Sequence, residues 1–242
     1  MKLYCIGIGP GGAEQMTLRA VRALEQCDCV AGYGLYLDLI AELIEGKTRI
    51  QTGMTREVDR CTAARDAAKA GHTVAVVSSG DAGVYGMAGL LFEVCADDPE
   101  IEIEVIPGVT AALSGGAVLG APLTNDFACI SLSDLLTPWE VIEQRLRGAA
   151  QGDFCIALYN PASKKRTGHL LRACDILLET MSPDTVCGMV RNIGRDGETY
   201  TLTTLGALRD ASADMLTTVF IGNSRTRVIN GRMVTPRGYR GV

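Results

Sequence analysis

The stretch 73–87, T-V-A-V-V-S-S-G-D-A-G-V-Y-G-M, constrains the fold more than any other part of the chain. It opens with the apolar run Val74–Val77, which is typical of a parallel strand buried on both faces. A turn of small residues around Asp81 follows, and a helical stretch begins near Met87. A carboxylate in such a turn lies where open α/β sheets bind ligands. Asp81 is therefore a candidate ligand contact; the alternative is that it only caps the following helix.

The same succession of strand, glycine-rich turn and helix recurs along the first half of the chain. The other strands predicted there are Leu3–Ile8, Cys29–Ala31, Thr48–Ile50 and Ile101–Ile106. Repeated β-α units predict a mostly parallel sheet whose rim is lined by glycines. Thr55 is the expected N-cap of the helix that follows the third strand.

The second half has a different pattern. The turn-rich segment 120–126 predicts a linker, so we expect an N-terminal α/β domain at 1–121 and a C-terminal α/β domain at 122–242. A hairpin-like turn at 194–197 and a tail that alternates around glycines predict a mixed sheet in the second domain. Thr137 and Pro138 are expected at the N-cap and first position of a helix.

Composition limits the function classes. The 242 residues are 47% hydrophobic, enough for a sizeable core, and the net charge of −5 offers no basic face for nucleic acid or an anionic membrane. The N-terminus predicts a strand and a glycine loop rather than a signal peptide, and no apolar run is long enough to span a bilayer. We therefore expect a soluble, cytoplasmic protein with no nucleic-acid or membrane partner.

The nine cysteines are scattered through apolar runs without a C-x-x-C motif. This spacing favours small buried side chains over disulfides or metal ligands, so no metal site is expected. His72 and His169 are the only histidines, and we interpret both as structural.

Gly7, Gly9 and Gly12 match the G-x-G-x-x-G fingerprint of dinucleotide-binding folds, so an NAD-dependent oxidoreductase is an alternative. Two features oppose it. The first helix is predicted to begin near Met16, several residues after the third glycine, and Asp28 precedes the second strand instead of ending it.

Several spaced motifs together resemble the tetrapyrrole methylases of corrin biosynthesis. They are G-I-G-P-G at 7–11, S-G-D-A-G at 79–83, P-G-V-T-A at 107–111 and L-Y-N-P at 158–161. Three more resemble the precorrin-3B C17-methyltransferase branch of that family: G-M-T-R-E at 53–57, S-L-S-D-L-L-T-P-W-E at 131–140 and T-P-R-G-Y at 235–239. The resemblance runs through essentially the whole chain.

The resemblance implies two α/β domains in a homodimer, with S-adenosylmethionine in a cleft between the domains. The residues that it places around this cofactor, and around the product S-adenosylhomocysteine, are Pro10, Ser79, Gly80, Asp81, Val84, Thr110, Ala111, Tyr159, Asn160 and Ile193. Small residues suit such a site, because backbone groups then fix the ligand.

The implied reaction is methylation of C17 of precorrin-3B, coupled to extrusion of C20 and giving precorrin-4. Methyl transfer depends on orientation more than on a strong acid or base. Ring contraction needs a group that takes the proton of the C20 hydroxyl. The candidates are Asp81, Ser131, Asp134 and Thr137, and the last two could instead cap the helix at Pro138.

The substrate carries many carboxylates and calls for cations. The hypothesis assigns this role to Arg56, Arg60, Lys164 and Arg166. The alternative for the 164–166 cluster is an ordinary solvated surface.

Some relatives carry a cysteine-rich extension with an iron–sulfur cluster. Its absence from this sequence favours the form that acts on metal-free precorrin-3B, while a cobalt-containing substrate stays open. The remaining alternatives are another corrin-pathway C-methyltransferase and a tetrapyrrole-binding protein without turnover.

Overall fold

The computed structural model describes residues 1–163 and 166–241. The chain divides into two compact units, Met1–Ala111 and Ala112–Val242. The helix Ala111–Leu119 therefore belongs almost wholly to the second unit, whereas the sequence placed the boundary after Ala121. No helix among the described residues is long and apolar enough to cross a membrane.

The first unit contains five strands and four α-helices. The strands are β1 (Lys2–Gly7), β2 (Cys29–Tyr33), β3 (Thr48–Thr52), β4 (Val74–Ser78) and β5 (Glu102–Ile106), and the helices are α1 (Leu18–Glu25), α2 (Gly34–Leu39), α3 (Glu57–Lys69) and α4 (Ala88–Val94). Short 3-10 turns lie at Ala13–Gln15 and Ala41–Ile44. All strand pairs are parallel, in the order β3-β2-β4-β1-β5, so the predicted parallel sheet is confirmed.

Helices cover both faces of this sheet because its strands are apolar on both sides. On β1, Leu3 and Cys5 join the core that contains α3 and α4, whereas Tyr4 and Ile6 join the core that contains α1 and α2. The neighbouring strands β1 and β4 thus lead into helices on opposite faces. Such a reversal leaves a crevice at the carboxyl ends of the two strands, where open α/β sheets bind ligands.

The second unit is a mixed α/β structure, as predicted. Its helices are α5 (Ala111–Leu119), α6 (Trp139–Gln151), α7 (His169–Leu177) and α8 (Leu205–Leu208), and its strands are β6 (Gly120–Ala121), β7 (Phe127–Ser131), β8 (Cys155–Tyr159), β9 (Val186–Arg191), β10 (Thr199–Thr204), β11 (Thr217–Ile221), β12 (Arg227–Ile229) and β13 (Arg232–Val234). The main sheet has the order β10-β9-β11-β8-β7, and only β7 and β8 run parallel. The predicted tail hairpin is β12–β13, and it pairs with β6.

Both faces of the second sheet are covered. Ile156 and Leu158 of β8 point into a core shared with α6, α7 and α8. Helix α5 lies against the opposite face, where a Cβ on Gly115 would come 2.9 Å from the ring of Phe220 and one on Gly188 would come 2.6 Å from Leu119. The glycines are therefore needed for close packing between helix and sheet.

The predictions of two helix starts are wrong. Thr55 has φ of +63°, and its hydroxyl donates to the Met54 carbonyl, so Arg56 rather than Thr55 precedes α3. Pro138 has ψ of 143°, which is extended, so it cannot be the first helical residue of α6. It occupies the N-cap position instead, and no side chain caps the helix there. Neither Thr137 nor Asp134 caps that helix.

Candidate functional site

Three strand exits are held together at the carboxyl edge of the first sheet. Gly9 and Gly80 exchange two backbone hydrogen bonds of 3.0 and 2.8 Å. A Cβ on Gly108 would overlap the carbonyl oxygen of Gly80 and lie 2.6 Å from the carbonyl carbon of Gly7. Gly80 itself has φ of +70°, which side chains other than glycine rarely adopt. The predicted glycine rim is therefore real, and it brings bare backbone to the crevice beside β1 and β4.

Asp81 ties two of these exits together and does not cap α4. Its Oδ1 accepts the backbone N–H of Gly83 at 2.8 Å, and its Oδ2 accepts that of Gly108 at 2.9 Å. The carboxylate is thus fixed at the crevice by one contact within its own turn and one to the loop after β5. A carboxylate oxygen has two lone pairs, so each retains capacity for a ligand hydrogen bond.

The other predicted cofactor residues of the first unit lie on the same loops. Pro10 is buried in the loop after β1, while Ser79 and Val84 are half-buried on either side of Asp81. The position of a Cβ on Gly80 would be 3.6 Å from Cα of Thr110 and 3.8 Å from the backbone nitrogen of Ala111. The first unit therefore brings the predicted residues of the 79–84 and 107–111 segments together.

Arg60 lies inside the first unit rather than on its surface. Its side chain is 4% exposed, and its guanidinium donates to Thr52 Oγ1 at 2.8 Å, to the Gly53 carbonyl at 3.0 Å and to Met87 Sδ at 3.6 Å. These contacts bind the end of β3 and the turn that follows it. Arg56, in contrast, is 66% exposed and pairs with Asp59.

Ser131 is the centre of a polar link between the loops after β7 and β8. Its Oγ accepts from Nδ2 of Asn160 at 3.0 Å and from the backbone N–H of Ser133 at 3.2 Å. A hydroxyl has two acceptor lone pairs and one proton. Both lone pairs are therefore engaged, and the proton is left to donate. Asn160 has φ of +53°, a conformation that asparagine tolerates better than most residues.

Tyr159 and Ile193 both contact the α5 region. The hydroxyl of Tyr159 accepts the backbone N–H of Ala112 at 2.7 Å, which satisfies one of the N–H groups of the first turn of α5. Ile193 is buried, and its Cδ1 lies 2.9 Å from the position of a Cβ on Gly115. The second unit thus assembles its predicted cofactor residues around α5 and β8.

Asp134 is bound to a histidine that sequence reasoning interpreted as structural. Nε2 of His169 lies 2.9 Å from Oδ2 of Asp134. This hydrogen bond, more than any other contact, holds the pKa of Asp134 below its ordinary value. Thr137 is half-buried in the same loop.

Arg166 lies beside this loop. Its Nη1 contacts the carbonyls of Leu132 at 3.3 Å and of Asn160 at 3.4 Å. No described residue gives its Nε or Nη2 a hydrogen bond or an ion pair, so these donors are available to an anion. Lys164, the other cation predicted here, lies outside the described residues.

The dinucleotide fingerprint lacks its structural context. Helix α1 begins at Leu18, where Thr17 Oγ1 accepts the N–H of Ala20, and not at Gly12 as the fingerprint requires. Asp28 precedes β2, and its carboxylate accepts the N–H of Thr73 at 2.9 Å. The glycines after β1 therefore serve the rim described above.

The sequence comparison decides the family. A family model described as Tetrapyrrole (Corrin/Porphyrin) Methylases matches residues 2–209. The chain belongs to this tetrapyrrole methylase family.

Relatives within the tetrapyrrole methylases are close over nearly their full lengths. A probable cobalt-factor III C(17)-methyltransferase from Salmonella typhimurium is 49% identical, over 98% of this chain and 99% of that protein. A precorrin-3B C(17)-methyltransferase from a Sinorhizobium species is 40% identical, over 99% of this chain and 98% of that protein. Other curated relatives are longer proteins, of which this chain spans about half.

A solved structure gives the same assignment. The crystal structure of the methyltransferase CobJ is 40% identical, with a TM-score of 0.90 over 97% of this chain and 99% of that one. The two-part α/β architecture predicted for this tetrapyrrole methylase is thereby confirmed.

Sequence reasoning missed the partners of the candidate residues in this methylase. His169 is 35 positions from Asp134, and no local pattern signals that the two side chains meet. The sequence also gives no sign that Arg60 is buried, because charged and small residues are mixed around the whole of α3 and no face of the helix is clearly apolar. The strained φ of Thr55 had one signal, its position in the short turn after β3, two residues beyond Gly53.

Proposed function

We propose that this tetrapyrrole methylase transfers a methyl group from S-adenosylmethionine to C17 of a precorrin-3-type macrocycle, with ring contraction that extrudes C20. The observation that carries the proposal is 49% identity, across almost two whole chains, to a relative named for C17 methylation of cobalt-factor III. Identity to the relative named for precorrin-3B is lower, at 40%. This difference favours the cobalt-containing macrocycle, and precorrin-3B is the second candidate substrate.

The residues at the crevice of the first unit suit S-adenosylmethionine. The cofactor supplies an electrophilic methyl group on a sulfonium sulfur. Gly80 has φ of +70°, and a Cβ on Gly108 would collide with the Gly80 carbonyl, so the bare rim lets main-chain groups approach a ligand closely. Asp81 is fixed there with lone pairs to spare for hydroxyl or amino groups. We propose that these residues, with Pro10 and Thr110, hold the cofactor.

In the second unit we assign Tyr159, Asn160 and Ile193 to the cofactor and Ser131 to the macrocycle. Because both lone pairs of Ser131 are engaged, its hydroxyl is suited to donate to a macrocycle oxygen and not to take a proton. The lowered pKa of Asp134 makes that carboxylate a weak base. Asp81 is then favoured over Ser131 and Asp134 for proton removal, and Thr137 stays the other candidate.

Substrate carboxylates need accessible cations. Arg56 is exposed, and Nε and Nη2 of Arg166 have no partner among the described residues, so we propose that both side chains bind macrocycle carboxylates. Arg60 is already engaged with protein groups, and we propose that it supports the Gly53 turn.

Calorimetric titration tests the cofactor. We expect S-adenosylhomocysteine to bind with micromolar affinity and NAD not to bind. Asp81→Ala, if it stays folded by circular dichroism, should weaken S-adenosylhomocysteine at least tenfold. Binding of NAD alone would overturn the proposed cofactor.

Methyl transfer tests the substrate. Cobalt-factor III and precorrin-3B are each incubated with the protein and S-adenosylmethionine, and the products are weighed by mass spectrometry. A larger kcat/KM for cobalt-factor III supports the cobalt-containing substrate, and the reverse order would favour precorrin-3B. The homodimer implied by the family resemblance also stays a prediction, which sedimentation equilibrium tests.

A further inference from the structure

Two leucines in the second unit are presented to solvent on one short loop. Leu135 is 69% exposed and Leu136 is 98% exposed, within the loop 132–138 that joins β7 to α6. Exposed apolar residues are common on surfaces, and other adjacent pairs occur in this chain. Leu135 and Leu136 are more exposed than Met215–Leu216 or Val228–Ile229, and they lie on one fixed loop, where they form a small apolar patch.

The loop is fixed at its base by a small aromatic and ionic cluster. His169, the first residue of α7, holds Asp134 at 2.9 Å, and the edge of its ring packs against Trp139 at 4.9 Å between centroids. The guanidinium of Arg172 lies 4.3 Å from the centre of the Trp139 ring. Trp139 Nε1 donates to Glu143 at 2.6 Å. The base of the loop therefore has a defined position although its tip is exposed.

The surroundings of the leucines fit a ligand that is apolar in the middle and anionic at its rim. Ser131, at the start of the loop, has a hydroxyl proton to donate. Arg166 donates to the carbonyl of Leu132, and its Nε and Nη2 have no partner within the part of the chain that the structure describes. A tetrapyrrole has this form: a broad apolar ring with carboxylates on its side chains.

We propose that Leu135 and Leu136 form a platform for the face of the tetrapyrrole, and that His169 is a positioning residue that holds this platform through Asp134. The proposal rests on the proposed function, because it takes the macrocycle as the occupant. It adds a contact surface and a positioning residue beyond those assigned above.

The charges around the pair also matter for an anionic ligand. Asp134 faces His169 from the loop and Arg166 from the segment after β8, while Glu143 of α6 and Arg172 of α7 flank Trp139. The positive charge of Arg166 offsets the negative charge of Asp134 and so reduces its repulsion of substrate carboxylates.

Leu136→Ser is the decisive variant, because a side chain that is 98% exposed contributes little to folding. We expect the KM for the tetrapyrrole to rise about fivefold or more, with unchanged Tm and unchanged affinity for S-adenosylhomocysteine. Leu18→Ser, at a single 74% exposed leucine at the start of α1, is the matched control and should leave all three values unchanged. An unchanged KM in Leu136→Ser would overturn the platform.

His169→Ala and Asp134→Ala test the positioning role. Each should raise the tetrapyrrole KM, and the double variant should raise it no further, because both act through one hydrogen bond. His169→Gln, which can still donate to Asp134, should recover part of the loss. Asp134→Asn keeps an acceptor for His169, so its KM should lie below that of Asp134→Ala. Additive effects without rescue would overturn the role of His169.

Two further outcomes separate the possible failures. If the unaltered protein methylates no tetrapyrrole, the proposed function fails and this inference fails with it. If the unaltered protein is active but Leu136→Ser changes its sedimentation and not its KM, the leucines cover a second copy of the chain, and the platform alone is overturned.

Discussion

The carboxylate of Asp81 accepts the backbone N–H of Gly108 at 2.9 Å, which joins the loop after β4 to the loop after β5. The two strands are not neighbours, because β1 lies between them in the sheet. The hydrogen bond therefore spans the exit of β1, and glycines are needed where the three loops converge. The same carboxylate that we propose for the cofactor thus also shapes the crevice.

Gly108→Ala should destabilise the protein. Its Cβ would overlap the Gly80 carbonyl and lie 2.6 Å from the backbone of Gly7, and neither group can move as a side chain would. We expect the free energy of unfolding, measured in urea, to fall by about 1–3 kcal/mol, and S-adenosylhomocysteine to bind more weakly. Gly89→Ala is the control: nothing lies within 4 Å of its Cβ, so replacing this helical glycine should stabilise by about 0.5–1 kcal/mol. Equal changes in the free energy of unfolding for Gly108→Ala and Gly89→Ala would contradict the crowding at Gly108.

Replacement of Arg56 and of Arg60 should have different effects, because Arg56 is exposed and Arg60 is buried although the two lie only four positions apart. Arg60→Met leaves the Gly53 carbonyl and the Thr52 hydroxyl without their partner, which should cost about 1–3 kcal/mol. Arg56→Met at an exposed position should change stability by less than about 0.5 kcal/mol, while raising the KM for the tetrapyrrole. Urea unfolding and steady-state kinetics measure the two effects. A tetrapyrrole KM that Arg56→Met leaves unchanged would remove Arg56 from the substrate site.

Thiol labelling should be slow in the folded protein. Burial raises the pKa of the Cys5, Cys27 and Cys174 thiols to about 12 and that of Cys61 to about 11, so thiolate is scarce at pH 8. Iodoacetamide should therefore modify these four only after unfolding, as intact mass would report. In guanidinium all nine cysteines of the chain should react. Rapid native labelling of Cys5 would contradict its burial.

The pairing of His169 with Asp134 predicts a pH-dependent stability. Its hydrogen bond lowers the pKa of Asp134 in the folded state, so its contribution is present above the unfolded value of about 3.9 and is lost as the pH falls through the lower folded value. The pair is partly exposed, which limits the contribution to about 0–1 kcal/mol. The stability difference between the unaltered protein and Asp134→Asn should be measurable at pH 7 and vanish in acid. A difference that persists at pH 2 would contradict the assignment.

The sequence predicted most of the architecture because hydrophobic runs and glycine turns are local signals. The runs at Val74–Val77 and Leu3–Ile8 are apolar without alternation, as strands buried on both faces must be, and they became β4 and β1 at the centre of the sheet. The mixed character of the second sheet was visible in the turn at 194–197, which leads from β9 into the antiparallel β10.

Features that depend on tertiary contacts were not predictable. Thr55 lies two residues after Gly53 and precedes an acidic helix start, which is a normal N-cap pattern, yet it has φ of +63° in the turn whose Gly53 carbonyl accepts from Arg60. The environment of the cysteines, by comparison, was predicted correctly from their apolar neighbours: eight are buried and Cys129 is half-buried, as expected of small hydrophobic side chains. The meeting of Asp134 with His169, in contrast, needed the fold of the whole second unit.

The most direct test of the central claim is transfer of a carbon-13 methyl group from labelled S-adenosylmethionine to cobalt-factor III and to precorrin-3B, followed by NMR of the product. We expect one new labelled methyl resonance, coupled to C17 of a ring-contracted macrocycle, from at least one of the two substrates. A label at another ring carbon, or no transfer to either substrate by protein that binds S-adenosylhomocysteine, would contradict it.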